Sequence, residues 1–232
     1  MKAYALIVAG GNGLRLGTET PKQFLKLAGK EVLTYSLLAF SRCAQIDGII
    51  VCAQAQWASV VRRICQRHEV EKLICVATAG SDRRASVKSG LDALVARGLE
   101  KNSIVLVHDA ARPFLTQEVI LRNIEAAKRF GACNTGIPAT DTPVLSEDGD
   151  TICAMPPRRQ VYLSQTPQSF QTQLLLRAHA QVPEDSANLT DDCALVHACG
   201  HTVKLVQGSP ALFKITRAQD FALARAVLEE EK

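Results

Sequence analysis

Short apolar runs alternate with longer stretches of helical periodicity over the first half of the chain. Tyr4–Val8, Ile49–Cys52, Leu73–Val76 and Ile104–Val107 are rich in branched residues and carry no alternating polar positions. A strand covered on one face would alternate; a continuous apolar run predicts parallel strands covered on both faces. Between the runs, Val32–Phe40 places Leu33, Leu37, Leu38 and Phe40 near one stripe, Trp57–His68 carries Val60, Val61 and Ile64, and Ser86–Arg97 carries Val87, Leu91, Leu94 and Val95. Thr116–Phe130 opens with an N-cap residue and Glu118 two places on, then repeats Val119, Ile120, Ile124 and Ala127; caps and a single apolar stripe mark helices. The repeat predicts an α/β fold: a doubly wound, mostly parallel Rossmann-like sheet with right-handed crossovers. Ligands of such sheets bind beyond the carboxyl ends of the strands.

The regularity breaks after Gly136. Residues 137–161 hold four prolines and an Asp148-Gly149 turn between two short extended pieces, which predicts a projecting β-hairpin arm. A two-stranded arm is marginal alone and should pack on something, so a homodimer joined through it is expected. The pattern resumes near Tyr162, with helices around 172–180 and 190–199, a strand at Val203–Val206 and a last helix from Thr216. Thr190 is the expected cap of the second of these helices, with Asp191 and Asp192 in its first turn. Residues 1–232 read as a single domain that includes the arm at 137–161.

Composition narrows the class. The chain has 232 residues, 47% hydrophobic and 22% charged, and a formal charge of +4, an ordinary soluble domain. No Lys/Arg stripe suggests nucleic acid, and no apolar run approaches the roughly 20 residues of a membrane span. The mild positive balance suits a small anionic substrate. The eight cysteines form no CxxC pair, which removes the usual zinc and redox spacings; several sit in apolar runs, and reduced structural thiols in a cytoplasmic protein are expected. His197 and His201 lie four apart without a third ligand, and Gly200 should end the helix between them.

The first strand runs into Ala9-Gly10-Gly11-Asn12-Gly13-Leu14-Arg15, and Pro21-Lys22-Gln23-Phe24 follows. Glycines after a buried strand let backbone N–H groups approach an anion. The dinucleotide spacing fails, because Leu16 stands where a third glycine is needed, and no Gly-Lys-Ser/Thr closes a P-loop. Arg15 and Lys22, two cations beside those N–H groups, suit a triphosphate. At the end of the fourth strand, His108-Asp109-Ala110-Ala111-Arg112-Pro113 places a carboxylate toward the ligand crevice, where Asp109 suits Mg²⁺ or serves as a turn or cap residue. Gly80-Ser81-Asp82-Arg83-Arg84 follows the third strand, and Ser81 or Asp82 suits helix capping.

Taken together, Ala-Gly-Gly-x-Gly-x-Arg, Pro-Lys-Gln-Phe, His-Asp-Ala-Ala-Arg-Pro and Thr166-Pro167-Gln168-Ser169-Phe170 resemble the signature of the sugar alcohol phosphate cytidylyltransferase family, from Ala3 to about Leu228. That resemblance implies a nucleotidyltransferase sheet and CMP transfer from CTP to a sugar alcohol phosphate. It implies that Ala9, Gly10, Gly11, Asn12, Gly13, Gly80, Arg83 and Ser86 bind CTP, and that Arg15, Lys22 and Lys214 are catalytic. It implies acceptor contacts at Asp109, Arg112, Thr142, Arg158 and Thr166, with Asp109 also on Mg²⁺ or another divalent cation, and Thr142 and Arg158 reaching across a dimer. Without the resemblance, Lys214 is a surface lysine before a helix, and Arg158 beside Arg159 a solvated charge pair.

Within the family, Ala111 resembles the methylerythritol phosphate branch, which implies 2-C-methyl-D-erythritol 4-phosphate as acceptor. Tyr162, Leu212-Phe213 and Ser209-Pro210 depart from that branch toward the ribitol phosphate one. The transfer implied is in-line: an acceptor phosphate oxygen attacks the α-phosphorus of CTP and pyrophosphate leaves, which calls for positioning and charge stabilisation rather than a covalent nucleophile. Two other classes fit the sequence less well. A nicotinamide-type oxidoreductase needs a third glycine at 16 and an acidic residue after the second strand, where Ala53-Gln54-Ala55 stands. A non-catalytic nucleotide sensor has no need of Arg15, Lys22, Asp109 and Lys214 together.

Overall fold

A computed structural model describes residues 1–11, 20–98, 102–183 and 189–230. In chain order, β1 is Ala3–Val8, β2 Lys26–Leu27, β3 Lys30–Glu31, α1 Val32–Ser41, β4 Gly48–Ala53, α2 Ala58–Arg67, β5 Leu73–Thr78, α3 Arg83–Val95, β6 Ile104–Asp109 and α4 Gln117–Phe130. Then follow β7 Ala132–Pro138, β8 Tyr162–Gln171, α5 Thr172–Gln181, α6 Asp192–Ala198, β9 Lys204–Gln207 and α7 Ala218–Glu230.

Seven strands form one sheet in the order β5-β4-β1-β6-β8-β7-β9. β1 pairs in parallel with β4 and β6, β4 with β5, and β7 with β9; β8 runs antiparallel between β6 and β7. The expected mostly parallel, doubly wound sheet is present. β1 shows why its sequence reads as uninterrupted apolar: side chains alternate in direction along a strand, but both faces are covered. Ala3, Ala5 and Ile7 pack with α1, α2 and α4 through Leu33, Leu37, Val61, Ile64 and Ile120. Tyr4 and Leu6 pack with α3, α5 and α6 through Val87, Leu91, Leu175, Leu195 and Val196. A smaller cluster of Leu27, Phe114, Ile215 and Ala224 seats α7 against β2.

The chain leaves β1 to build β4 and β5 on one side and then returns to place β6 on the other. Strand order therefore reverses between β1 and β6, which opens a crevice at their carboxyl ends. Val8 and Asp109 are register partners there.

Three expectations change, and two strands join those the sequence predicts. Ala132–Pro138 and Tyr162–Gln171 are full strands, although neither alternates cleanly, because both lie inside the sheet. Between them the excursion 139–161 carries a single bridge, Leu145 to Ala154, in place of a two-stranded ladder. The turn does sit at Asp148, whose Oδ1 accepts from Asp150 N, Thr151 N and Ser146 Oγ. α6 is capped by Asp191, which accepts from Ala194 N, rather than by Thr190. α7 starts at Ala218, since Asp220 Oδ2 gathers the N–H groups of Thr216 and Arg217 before the helix begins. Thr116 caps α4 as expected. All eight cysteines are free, and burial pushes Cys52 and Cys133 up to about 12. No helix among the described residues is long and apolar enough to cross a membrane.

Candidate active site

The crevice at the end of β1 and β6 is a cavity of about 420 Å³, lined by the glycine loop, Lys22, Gln23, Gln54, the Gly80–Arg83 turn, Ser86, Asp109–Ala111 and Lys214. That volume suits a nucleotide-sized ligand.

The glycine loop is held by side-chain amides. Gln23, in the 3-10 turn Lys22–Phe24, is buried and donates from Nε2 to Ala9 O at 2.6 Å and Gly11 O at 3.0 Å. Gln54 donates to Gly10 O at 3.3 Å. In a trans peptide the following N–H points opposite to the carbonyl, so the N–H groups of Gly10 and Gly11 turn away from these amides. Gly10 has no room for a side chain: a Cβ would meet Ala79 Cβ at 2.5 Å. Asn12, Gly13 and Arg15 fall outside the described residues. Lys22 lines the cavity.

Across the cavity, α3 begins with Asp82 as its cap, accepting from Ala85 N at 2.8 Å. Ser86 is buried, donates to Asp82 O at 2.7 Å and accepts from Gly80 N at 3.1 Å, so its hydroxyl shapes the turn on which Gly80 and Arg83 stand. Arg83 turns inward. Its Nε lies 3.3 Å from Asp109 Oδ1 and its Nη1 2.6 Å from Asp192 Oδ2. Burial alone would lower the Arg83 pKa, but Asp192 and Asp109 outweigh it and raise it further above the usual range.

Asp109 is the electrostatic centre. Lys214 Nζ stands 2.8 Å from Oδ2, Arg83 Nε 3.3 Å from Oδ1 and Arg112 Nε 3.8 Å from Oδ2. Burial opposes ionisation of this carboxyl, yet Lys214, Arg83 and Arg112 hold its pKa well below the ordinary 3.8. The strand end is braced from behind. Asp109 N donates to Thr166 Oγ1 at 3.1 Å, and that hydroxyl lies 3.1 Å from His108 Nδ1. The hydroxyl's own proton then goes to Nδ1, which leaves Nε2–H to donate to Arg112 O at 3.0 Å. Burial lowers the His108 pKa from 6.5 to about 4, consistent with a neutral ring.

Lys214 sits on a loop tied down at three points. Gln165 is buried and clasps Ser209 both ways, accepting from its N and donating to its O. Arg112 Nη1 donates to Leu212 O at 2.8 Å, and Ile215 N donates to Ala111 O.

The structure thus brings together Ala9, Gly10, Gly11, Lys22, Gly80, Arg83, Ser86, Asp109 and Lys214 around one cavity, with Arg112 and Thr166 immediately behind Asp109. Thr142 and Arg158 do not reach this cavity; both are exposed on the 139–161 excursion, where Arg158 donates to Thr140 O. Thr166 is buried with its hydroxyl engaged on both sides, so it acts on Asp109 rather than facing the cavity. Three residues went unread in the sequence. Gln23 had no signal beyond a polar residue inside a motif, Gln165 none beyond a polar residue just before one, and Asp192, fully buried, read as a first-turn acid.

Among the described residues, no group of three His, Cys, Asp or Glu side chains could hold a metal by protein donors alone. One carboxylate lining a nucleotide-sized cavity does fit Mg²⁺, which keeps waters and takes phosphate oxygens.

A glycine loop, a carboxylate caged by cations and a switch-point cavity define the class: a nucleotide-dependent transferase on a doubly wound sheet. Comparison with known proteins sharpens this. The model of the family described as IspD, 2-C-methyl-D-erythritol 4-phosphate cytidylyltransferase, matches residues 3–230, and the chain belongs to that family. It is 36% identical over 230 residues, 98% of both chains, to the ribitol-5-phosphate cytidylyltransferase of Lactiplantibacillus plantarum. Among solved structures, the 4-diphosphocytidyl-2C-methyl-D-erythritol synthase of Anaerococcus prevotii superposes with a TM-score of 0.85 at 29% identity, covering 98% of this chain and 96% of that one. The 2-C-methyl-D-erythritol 4-phosphate cytidylyltransferase of Thermus thermophilus superposes with a TM-score of 0.75 at 33% identity, covering 99% and 100%. The protein is a cytidylyltransferase enzyme.

Proposed function

We propose that the protein transfers CMP from CTP to 2-C-methyl-D-erythritol 4-phosphate, releasing pyrophosphate. The observation that carries the transfer is the Asp109 cage: three cations converge on one buried carboxylate beside a glycine loop. Such an array is preorganised for charge that grows on a transferring phosphoryl group. The N–H groups of the glycine loop, Ala9 to Gly13, take the triphosphate, and Gly80, Arg83 and Ser86 border the nucleoside. Arg15, Lys22 and Lys214 offset the charge on the α-phosphate and the leaving pyrophosphate. Asp109 would hold Mg²⁺, which when bound neutralises triphosphate charge. The acceptor phosphate meets Arg112 and, from a second subunit, Thr142 and Arg158. No general base is needed, since a phosphate dianion is nucleophilic at neutral pH.

The 139–161 excursion supports a homodimer. It exposes Val144, Leu145, Ile152 and Met155 on one projecting segment, apolar surface that a second copy would cover. Methylerythritol phosphate is supported by the family model and by the structural matches. Ribitol 5-phosphate is the second reading, favoured by the 36% identical relative and by Tyr162. The departure at Phe213 carries less weight, because that ring lies 5.7 Å from Phe114 in the cluster under α7. The test is pyrophosphate release from CTP with each acceptor in parallel, with and without Mg²⁺. Faster turnover of methylerythritol phosphate is expected, and a preference for ribitol phosphate would reverse the assignment.

A further inference from the structure

We propose that Asp192 is a positioning residue of the transfer reaction, acting through Arg83 on Asp109 and Lys214. The inference rests on the cytidylyl-transfer reading. Asp192 opens α6 and is fully buried, its backbone N donating to Gln168 Oε1 at 3.1 Å. Its Oδ2 holds Arg83 Nη1 at 2.6 Å. One guanidinium therefore bridges two carboxylates, from the end of β6 and the start of α6.

The bridge is lopsided. Arg83 meets Asp109 through Nε alone, at 3.3 Å, while its Nη2 is buried without a partner among the described residues. A free guanidinium prefers a two-pronged grip on a carboxylate. Asp192 denies Arg83 that grip on Asp109, so Asp109 Oδ2 stays with Lys214 at 2.8 Å. On the far side, His179 Nε2 stands 3.6 Å from Asp192 Oδ1, and both atoms are buried without a hydrogen bond among the described residues. The result is one line of alternating groups, His179, Asp192, Arg83, Asp109 and Lys214, from the α5–α6 contact to the cavity. Without the Asp192 charge, Arg83 closes on Asp109 with both prongs and competes with Lys214.

The experiment is a double-mutant cycle on the full chain. Asp192→Asn keeps shape and removes charge. It is expected to lower kcat/KM for CTP by ~10-fold, as a misplacement of about an ångström at a reacting centre does. In an Arg83→Ala background the same change should cost less than about 2-fold, since coupled residues are non-additive. A merely structural Asp192 would give equal losses in both backgrounds, or a lower Tm with kcat/KM intact; either overturns the proposal. Should Asp192→Asn fail to fold, His179→Gln is read in the same cycle, with a loss of ~3-fold expected only when Arg83 is present, and equal losses again overturning the proposal. Wild-type turnover of CTP checks the underlying reading separately. If it is absent, the cycle is read in CTP binding by Trp57 fluorescence, with the same criterion.

Discussion

Replacing Gln23 with leucine isolates what the glycine loop contributes. Leucine keeps most of the glutamine volume, so packing changes little, but the amide donor is lost. Two bonds go with it, a buried one at 2.6 Å to Ala9 O and a partly buried one at 3.0 Å to Gly11 O. A net hydrogen bond contributes about 1 kcal/mol, so the loop loses about 2 kcal/mol of restraint on its carbonyls. The Ala9 carbonyl sets the direction of the Gly10 N–H, and that free energy should appear in nucleotide affinity, roughly 30-fold at one factor of ten per about 1.4 kcal/mol. The protein carries its own reporter. Trp57, the single tryptophan, stacks on Phe24 with ring centroids 4.6 Å apart, one residue beyond Gln23. Titration of Trp57 fluorescence with CTP should show the affinity loss, and steady-state kinetics should place it in the KM for CTP rather than for the acceptor. A Gln23→Leu enzyme that binds CTP within about 2-fold of wild type would refute the reasoning, as would an equal rise in both KM values.

Gly208→Ala should cripple turnover through the Lys214 loop, because a Cβ there would meet Gln165 Oε1 at 2.2 Å and Thr135 Cγ2 at 3.0 Å; the expected fall in kcat is ~10-fold or more, and an unchanged kcat would show that the Gln165 clasp does not position Lys214. His108 is held neutral with its pKa moved from 6.5 to about 4, so the unfolded chain binds its proton first, and the stabilisation it gives is complete above pH 6.5 and lost as pH falls toward 4. Urea unfolding across that window should lose about 3 kcal/mol more in wild type than in His108→Gln; equal losses would put the ring in another state.

The central strands were legible because they are covered twice. Tyr4–Val8 and Ile104–Val107 needed no alternation to be recognised, since both faces of β1 and β6 are buried. The same test misses β8. Its outer half, Tyr162 to Ser164, is exposed, and its inner half is buried but polar: Gln165, Thr166, Gln168 and Ser169. These side chains face inward because they are hydrogen-bonding tools, Gln165 for the Lys214 loop, Thr166 for Asp109 and Gln168 for α6. A hydropathy pattern cannot separate such a strand from a loop. The motif Thr166-Pro167-Gln168 marked the segment through family resemblance, which implied an acceptor contact for Thr166; the hydropathy pattern carried no sign that its hydroxyl also meets Asp109 N and His108 Nδ1, or that the Gln168 amide holds Asp192 N.

Asp192 shows a different limit, and a way past it. Two adjacent acids at a helix start look equivalent in sequence, and the helix dipole favours both. Adjacent helical positions, however, point about 100° apart. If Asp191 turns one carboxylate oxygen back to cap the helix, Asp192 faces elsewhere, here into the core. A buried carboxylate must be paired, so the second acid of such a doublet implies a buried cation in some other element. The same rule resolves Arg83-Arg84. With Asp82 as cap, Arg83 takes the first position of α3 and turns to Asp192 and Asp109, while Arg84 donates to the carbonyls of Val182 and Pro183 at the surface. Neither doublet can be assigned alone. Each becomes readable once the other's cap is known, because one buried charge of each sign has to find its counterpart.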